Sequence, residues 1–145
     1  MVDYREAYLF DIASGHETRR LTAHTNDVLD VAFSPDGTRM ATAGLDRRIL
    51  IWDVNTGRQL FALAGHTGII YGIAFAPGGD RLVSGSTDGT VRLWDLTPAH
   101  ELLALPGPPA PSSGRVAFST DGRRLLGTLA DGSTPVWDTD RKSVV

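Results

Sequence analysis

Short runs of apolar residues, each cut off by turn formers, set the rhythm of this chain. The clearest series begins at residues 69–75 (IIYGIAF), which end in Ala-Pro-Gly-Gly. Residues 81–86 (RLVSGS) follow and stop at Thr87-Asp88-Gly89. Residues 90–96 (TVRLWDL) alternate, with Val91, Leu93 and Asp95 on one side and Arg92, Trp94 and Leu96 on the other. Residues 101–105 (ELLAL) complete the series. Each run has the length and the β-branched or aromatic content of a strand. Asp-Gly and Gly-Gly between such runs favour tight hairpins, because glycine takes positive φ at little cost. The pattern predicts a four-stranded antiparallel meander. It repeats upstream at residues 28–33, 39–44, 49–54 and 59–63.

The repetition has a fixed step. Phe33-Ser34-Pro35-Asp36-Gly37 returns as Phe75-Ala76-Pro77-Gly78-Gly79 and as Phe118-Ser119-Thr120-Asp121-Gly122, at spacings of 42 and 43 residues. Trp52, Trp94 and Trp137 keep the same step, and each is followed by aspartate. Such a period marks an array of one supersecondary unit. Arrays of this kind usually present a binding surface rather than a reactive centre.

A third unit is worn. Residues 114–118, 124–129 and 134–138 fit its first three strands, with Pro135 inside the third, and only residues 141–145 are left for a fourth. Phe10-Asp11 sits 42 residues before Trp52-Asp53. Residues 8–12 therefore read as a third strand and residues 18–21 as a fourth, with no first and second strands before them.

Composition narrows the classes. The 145 residues are 41% hydrophobic and 21% charged, suited to one soluble domain with a core. A net charge of −3 speaks against a general nucleic-acid binder, which needs a basic footprint. Thirteen arginines against one lysine suggest coding bias and a bacterial origin. Without cysteine there is no disulfide, thiolate nucleophile or cysteine metal site, which is compatible with a reducing cytoplasm. No signal-peptide core or membrane-length apolar run is present.

These units resemble the WD repeat of β-propellers, from about Tyr8 to Asp138. The resemblance rests on Gly65-His66 (Ala23-His24 one unit earlier), on Phe75 with its turn, on Ser84 to Gly89, and on Leu93-Trp94-Asp95. Histidine precedes tryptophan by 28 residues in both intact units. The resemblance implies an all-β, partial propeller of four-stranded antiparallel blades. Residues 8–22 would be a half blade, 24–63 blade 1, 66–105 blade 2, 106–111 a proline-rich connection and 112–145 a degenerate blade 3.

It also implies a hydrogen-bonded tetrad inside each blade: His24, Thr42, Asp46 and Trp52, then His66, Ser84, Asp88 and Trp94. The third unit keeps Asp131 and Trp137 but has Pro109 for histidine and Gly127 for the hydroxyl. Serine, histidine and aspartate also make a hydrolase triad, but nothing here resembles a nucleophile elbow, and the set recurs once per unit. No catalytic residue, metal site or cofactor is expected. His16, His100, Arg19-Arg20, Arg47-Arg48, Arg123-Arg124 and the acidic pairs Asp30/Asp36 and Asp138/Asp140 read as surface and turn groups.

The implied role is a protein or peptide interaction scaffold, docking partners on the face of the loops joining fourth to first and second to third strands. By family position that face carries Leu29, Leu45, Tyr71 and Thr87, with Ile69 beside them and Gly114 and Ala130 in the worn unit. The alternative is a sensory or regulatory fragment of a multidomain bacterial kinase or NTPase. Propellers typically hold about four to eight blades. An open stack bares apolar faces, so the expectation is either a ring closed by copies of the chain or blades supplied by a longer one.

Overall fold

The computed structural model describes residues 4–97, 100–106, 115–128, 132–140 and 143–144. Among them the structure is all-β, with no helix. The strands are β1 (Glu6–Phe10), β2 (Glu17–Thr22), β3 (Val28–Phe33), β4 (Arg39–Gly44), β5 (Ile49–Asp53), β6 (Gln59–Leu63), β7 (Ile70–Phe75), β8 (Arg81–Ser86), β9 (Thr90–Asp95), β10 (His100–Pro106), β11 (Val116–Phe118), β12 (Arg124–Gly127), β13 (Val136–Asp138) and β14 (Ser143–Val144). They form one two-stranded and three four-stranded antiparallel sheets, each in sequential order. These are the blades of a partial propeller. The first strands of successive blades, β3, β7 and β11, lie side by side.

Register decides how one blade meets the next. Directly opposed residues share a face. Ala32 faces Ala41, Ala41 faces Ile51 and Ile51 faces Phe61. The next sheet repeats the row as Ala74, Val83, Leu93 and Leu103, and the last as Ala117, Leu126 and Val136. The row of one sheet packs against the tryptophan side of the following sheet. Ala41 and Ile51 meet Ile73, Leu82 and Trp94. Val83, Val91 and Leu105 meet Leu125 and Trp137. Leu21, on the two-stranded sheet, meets Met40, Leu50 and Trp52. Full burial of each such aliphatic side chain stabilises by roughly 1.5–3 kcal/mol.

Polar ties cross the same seams. The Ile73 amide donates to Asp30 Oδ2 at 2.8 Å. Arg39 Nη2 donates to the Gly79 carbonyl at 2.7 Å, and Arg19 Nη2 to the Asn55 carbonyl at 2.7 Å. Asp30 and Arg19 therefore join blades rather than serving as the turn and surface groups expected from sequence. Arg20 stacks over Tyr8, its guanidinium carbon 5.0 Å from the ring centre.

β1 starts and stops two residues earlier than the expected 8–12, and β2 extends the expected 18–21 by one residue at each end. β1 ends at Phe10 because Asp11 begins a turn: its carbonyl accepts from the Gly15 amide, and its carboxylate from the Ser14 amide and hydroxyl. Asp53, Thr56 and Gly57 build the same turn one unit later. In the third unit, β13 begins only at Val136, immediately after Pro135, which can donate nothing to a ladder. Most of the proline-rich connection, with Pro109, Gly114, Ala130 and Asp131, lies outside the described residues.

Candidate functional site

Two polar clusters lie inside the blades. In blade 1 the Trp52 indole N–H donates to Thr42 Oγ1 at 2.9 Å. Thr42 Oγ1 is 2.7 Å from His24 Nε2, and His24 Nδ1 is 2.8 Å from Asp46 Oδ2. Blade 2 repeats this with Trp94 to Ser84 at 2.8 Å, Ser84 to His66 at 2.7 Å and His66 to Asp88 at 2.8 Å. A carboxylate only accepts, so Nδ1 carries a proton in each histidine. The hydroxyl accepts from the indole and has one proton left, which satisfies Nε2 of a neutral ring. Each relay then runs from indole through hydroxyl and imidazole to carboxylate with every member paired.

The carboxylates also fasten loops. Asp46 Oδ2 accepts from the Thr25 amide at 3.1 Å, and Asp88 Oδ2 from the Thr67 amide at 3.0 Å. Asp88 Oδ1 takes the Thr90 amide and hydroxyl at 2.9 and 2.6 Å. Burial pushes the Asp88 carboxyl up, but the hydrogen bonds from Thr90, His66 and the Thr67 amide outweigh it and hold it well below the usual carboxylate range. Thr42 and Ser84 are wholly buried, so neither hydroxyl can meet a substrate as a nucleophile must. The chemistry of both clusters is structural. They anchor the connection into each first strand onto the turn between second and third strands.

That anchoring assembles one rim. The Leu45 amide donates to the Asp27 carbonyl at 2.9 Å. The Thr87 amide donates to the Ile69 carbonyl, and the Ile69 amide returns to Thr87 Oγ1, both at 2.9 Å. Leu29 and Tyr71 stand where the β3–β4 and β7–β8 registers slip, between Val28 and Asp30 and between Ile70 and Gly72. These are β-bulges, which re-aim a side chain away from the ladder. Leu29 and Tyr71 are exposed, while Leu45, Ile69 and Thr87 are half-buried. The five residues expected at the docking face lie at the same end of two blades, Leu29 and Leu45 on blade 1 and Ile69, Tyr71 and Thr87 on blade 2, with Asp27 in the place of Ile69 on blade 1. Part of Thr87's hydroxyl capacity is taken up by the Ile69 amide.

In the third unit the Trp137 ring fills the place of the missing hydroxyl. A Cβ on Gly127 would stand 3.1 Å from Trp137 Cζ3 and 3.0 Å from Val91 Cγ2. Sequence reasoning missed Thr90, whose hydroxyl braces Asp88, and Asp30. Asp30 did carry a signal: an acidic residue among apolar ones in an inner strand. Among the described residues no group of three or more histidine, aspartate or glutamate side chains is placed to hold a metal ion.

Known proteins agree with this architecture. The family model for the WD domain, G-beta repeat, matches residues 15–53 and 57–95. Protein HIR1 of Candida albicans is 52% identical over 33 residues, 23% of this chain and 4% of that protein. Protein HIR1 of Kluyveromyces lactis is 46% identical over 41 residues, 28% and 5% of the two chains. Protein HIR1 of Eremothecium gossypii is 43% identical over 47 residues, 30% and 6%. The similarity therefore spans only a small fraction of the length of these relatives. With family matches over more than half of its length and a repeated Trp-hydroxyl-His-Asp relay, the chain belongs to the WD-repeat family, whose repeats generally mediate protein–protein interaction.

Proposed function

We propose that this protein is a scaffold that docks a protein or peptide on the rim bearing Leu29, Leu45, Ile69, Tyr71 and Thr87. The observation that carries the reading is the pair of bulges. The bulge in β7 turns Tyr71 out of an otherwise packed inner strand, and the bulge in β3 places Leu29 at the equivalent position of the more open blade 1. Tyr71 is 42% exposed and sits beside half-buried Ile69 and Thr87. Aromatic groups with an apolar surround are the usual anchors of interfaces. The clusters beneath hold this rim rigid, which lowers the ordering cost of binding.

The test uses peptides selected by phage display on the intact protein. Tyr71→Ala should weaken a rim-binding peptide at least about tenfold, a loss of about 1.4 kcal/mol, and leave the urea unfolding midpoint near that of the parent. A large fall in the midpoint would assign Tyr71 to packing. Unchanged affinity together with an unchanged midpoint would remove it from the docking surface.

A further inference from the structure

The first end of the blade stack is stepped. β1 and β2 cover only the outer half of the next blade. Over its inner half runs an open groove of about 450 Å3, bordered by Tyr4, Leu9, Leu29, Val31, Phe33 and Met40, with the Tyr4 carbonyl accepting from the Val28 amide at one end. Val31 is 49% exposed, whereas Ile73, one repeat later, is 6% exposed because β4 and the rest of blade 1 cover it. Among the described residues no hairpin stands over Val31 as β3–β4 stands over Ile73. The outer half of the step is bare as well. Phe10 holds the repeat position of Trp52 and Trp94, yet it is 59% exposed against 3% and 2%. Among the described residues β1 pairs with β2 alone, while β5, β9 and β13 each pair on both edges.

The other end of the stack carries a hairpin of the required kind. β11–β12 bears Ala117 and Leu126, at the positions of Ala32 and Ala41, and this face is open. Its outer neighbours are short strands, tied on by Trp137 in the core and by bonds from Thr139 to the Gly122 and Arg123 carbonyls. β13 joins β12 through three residue pairs, and β14 joins β13 through two.

We propose that a second copy of the chain fills the groove by strand exchange. β11–β12 of one copy inserts beside β1–β2 of the other, in place of its own β13–β14, and builds a composite blade. Leu9 holds the repeat position of Val136 and so comes to face Leu126. Phe10 takes the pocket that Trp137 leaves between Val91 and Leu105. Asp11 stands where Asp138 stood, opposite Arg124, so opposite charges remain cross-strand neighbours. Made at both ends, the exchange gives two blades from each copy and two composite ones. That is a ring of about six blades, inside the usual range of about four to eight, whereas three copies would give about nine. The contact is heterologous and closes on itself, so it does not propagate into fibres.

The absence of cysteine permits a direct test. The unmodified chain should sediment at micromolar concentration with twice the single-chain mass. A chain carrying Leu9→Cys and Leu126→Cys should oxidise to a covalent dimer on non-reducing gels. A chain carrying Leu126→Cys and Val136→Cys should close internally, lock β12 to β13, and sediment as a monomer until reduced. Any mass other than twice the single chain for the unmodified protein overturns the proposal, whatever else then occupies the groove. A locked, oxidised chain that still dimerises overturns the exchange, because the copies would be docking without it. If a cysteine variant does not fold, amide hydrogen exchange of the unmodified chain decides: the amides of Trp137 and Asp138 should lose protection on dimerisation, and protection retained in the dimer overturns the exchange.

Discussion

At the scale of single residues, Asp88 shows what the buried relay demands. Its carboxylate accepts from an imidazole, a hydroxyl and two amides, and these hold it ionised despite burial. A carboxyl depressed in the folded state contributes stability that is complete above its unfolded value, about 4, and is lost as pH falls through the folded value. Asp88→Asn should therefore cost about 1–3 kcal/mol at neutral pH. The difference from the parent should shrink below about pH 4, as measured by urea unfolding at several pH values. A gap that widens in acid would place the loss elsewhere. The relay was legible in the sequence because hydroxyl, histidine and aspartate recur at constant distances from tryptophan. Asp30 was not, because its partner is a backbone amide, which leaves no mark in a string of side chains. The collapse of Trp137 onto Gly127 was half legible: the missing hydroxyl could be read, but not what fills its place.

At the scale of elements, the turns carry the strain. The β8–β9 turn places Gly89 at φ 80°, and the corresponding turn of blade 3 places Gly132 at φ 82°. Blade 1 puts Arg47 there, at φ 64°. A non-glycine residue pays roughly 1–2 kcal/mol for that conformation, and glycine's greater freedom in the unfolded chain offsets roughly 0.5–1 of it. Arg47→Gly should stabilise the protein by up to about 1 kcal/mol, seen as a higher thermal midpoint. A lower one would mean that the guanidinium's contact with the Thr67 carbonyl, at 3.5 Å, outweighs the strain. Strand positions were legible from turn chemistry, most cleanly where proline or Asp-Gly follows phenylalanine. The first turn of Asp36 is a case: Ser34 and Thr38 bind its carboxyl and bring it down to about 2. The boundaries of β1 were less legible because Phe10-Asp11 stands in step with Trp52-Asp53, while the Asp-x-x-Ser-Gly turn at Asp11 ends the strand at Phe10.

At the scale of the whole molecule, the forty-odd-residue period announced a stack of blades, while which face meets which neighbour emerges only from the strand register. The step at the first end was harder to see. Phe10 and Val31 look like ordinary core residues in one dimension, and only their counterparts Trp94 and Ile73 reveal that the cover is missing.

The placement of the three tryptophans, one in each four-stranded sheet, makes the chain its own optical gauge. Two indoles donate to a buried hydroxyl, and the third leans on a glycine. Subtracting the emission of a Trp137→Phe variant from that of the parent isolates the last signal and spares both intact relays. That difference spectrum should move to longer wavelengths as the protein is concentrated and the outer strands of the third sheet let go. A spectrum independent of concentration would mean that Trp137 keeps its place.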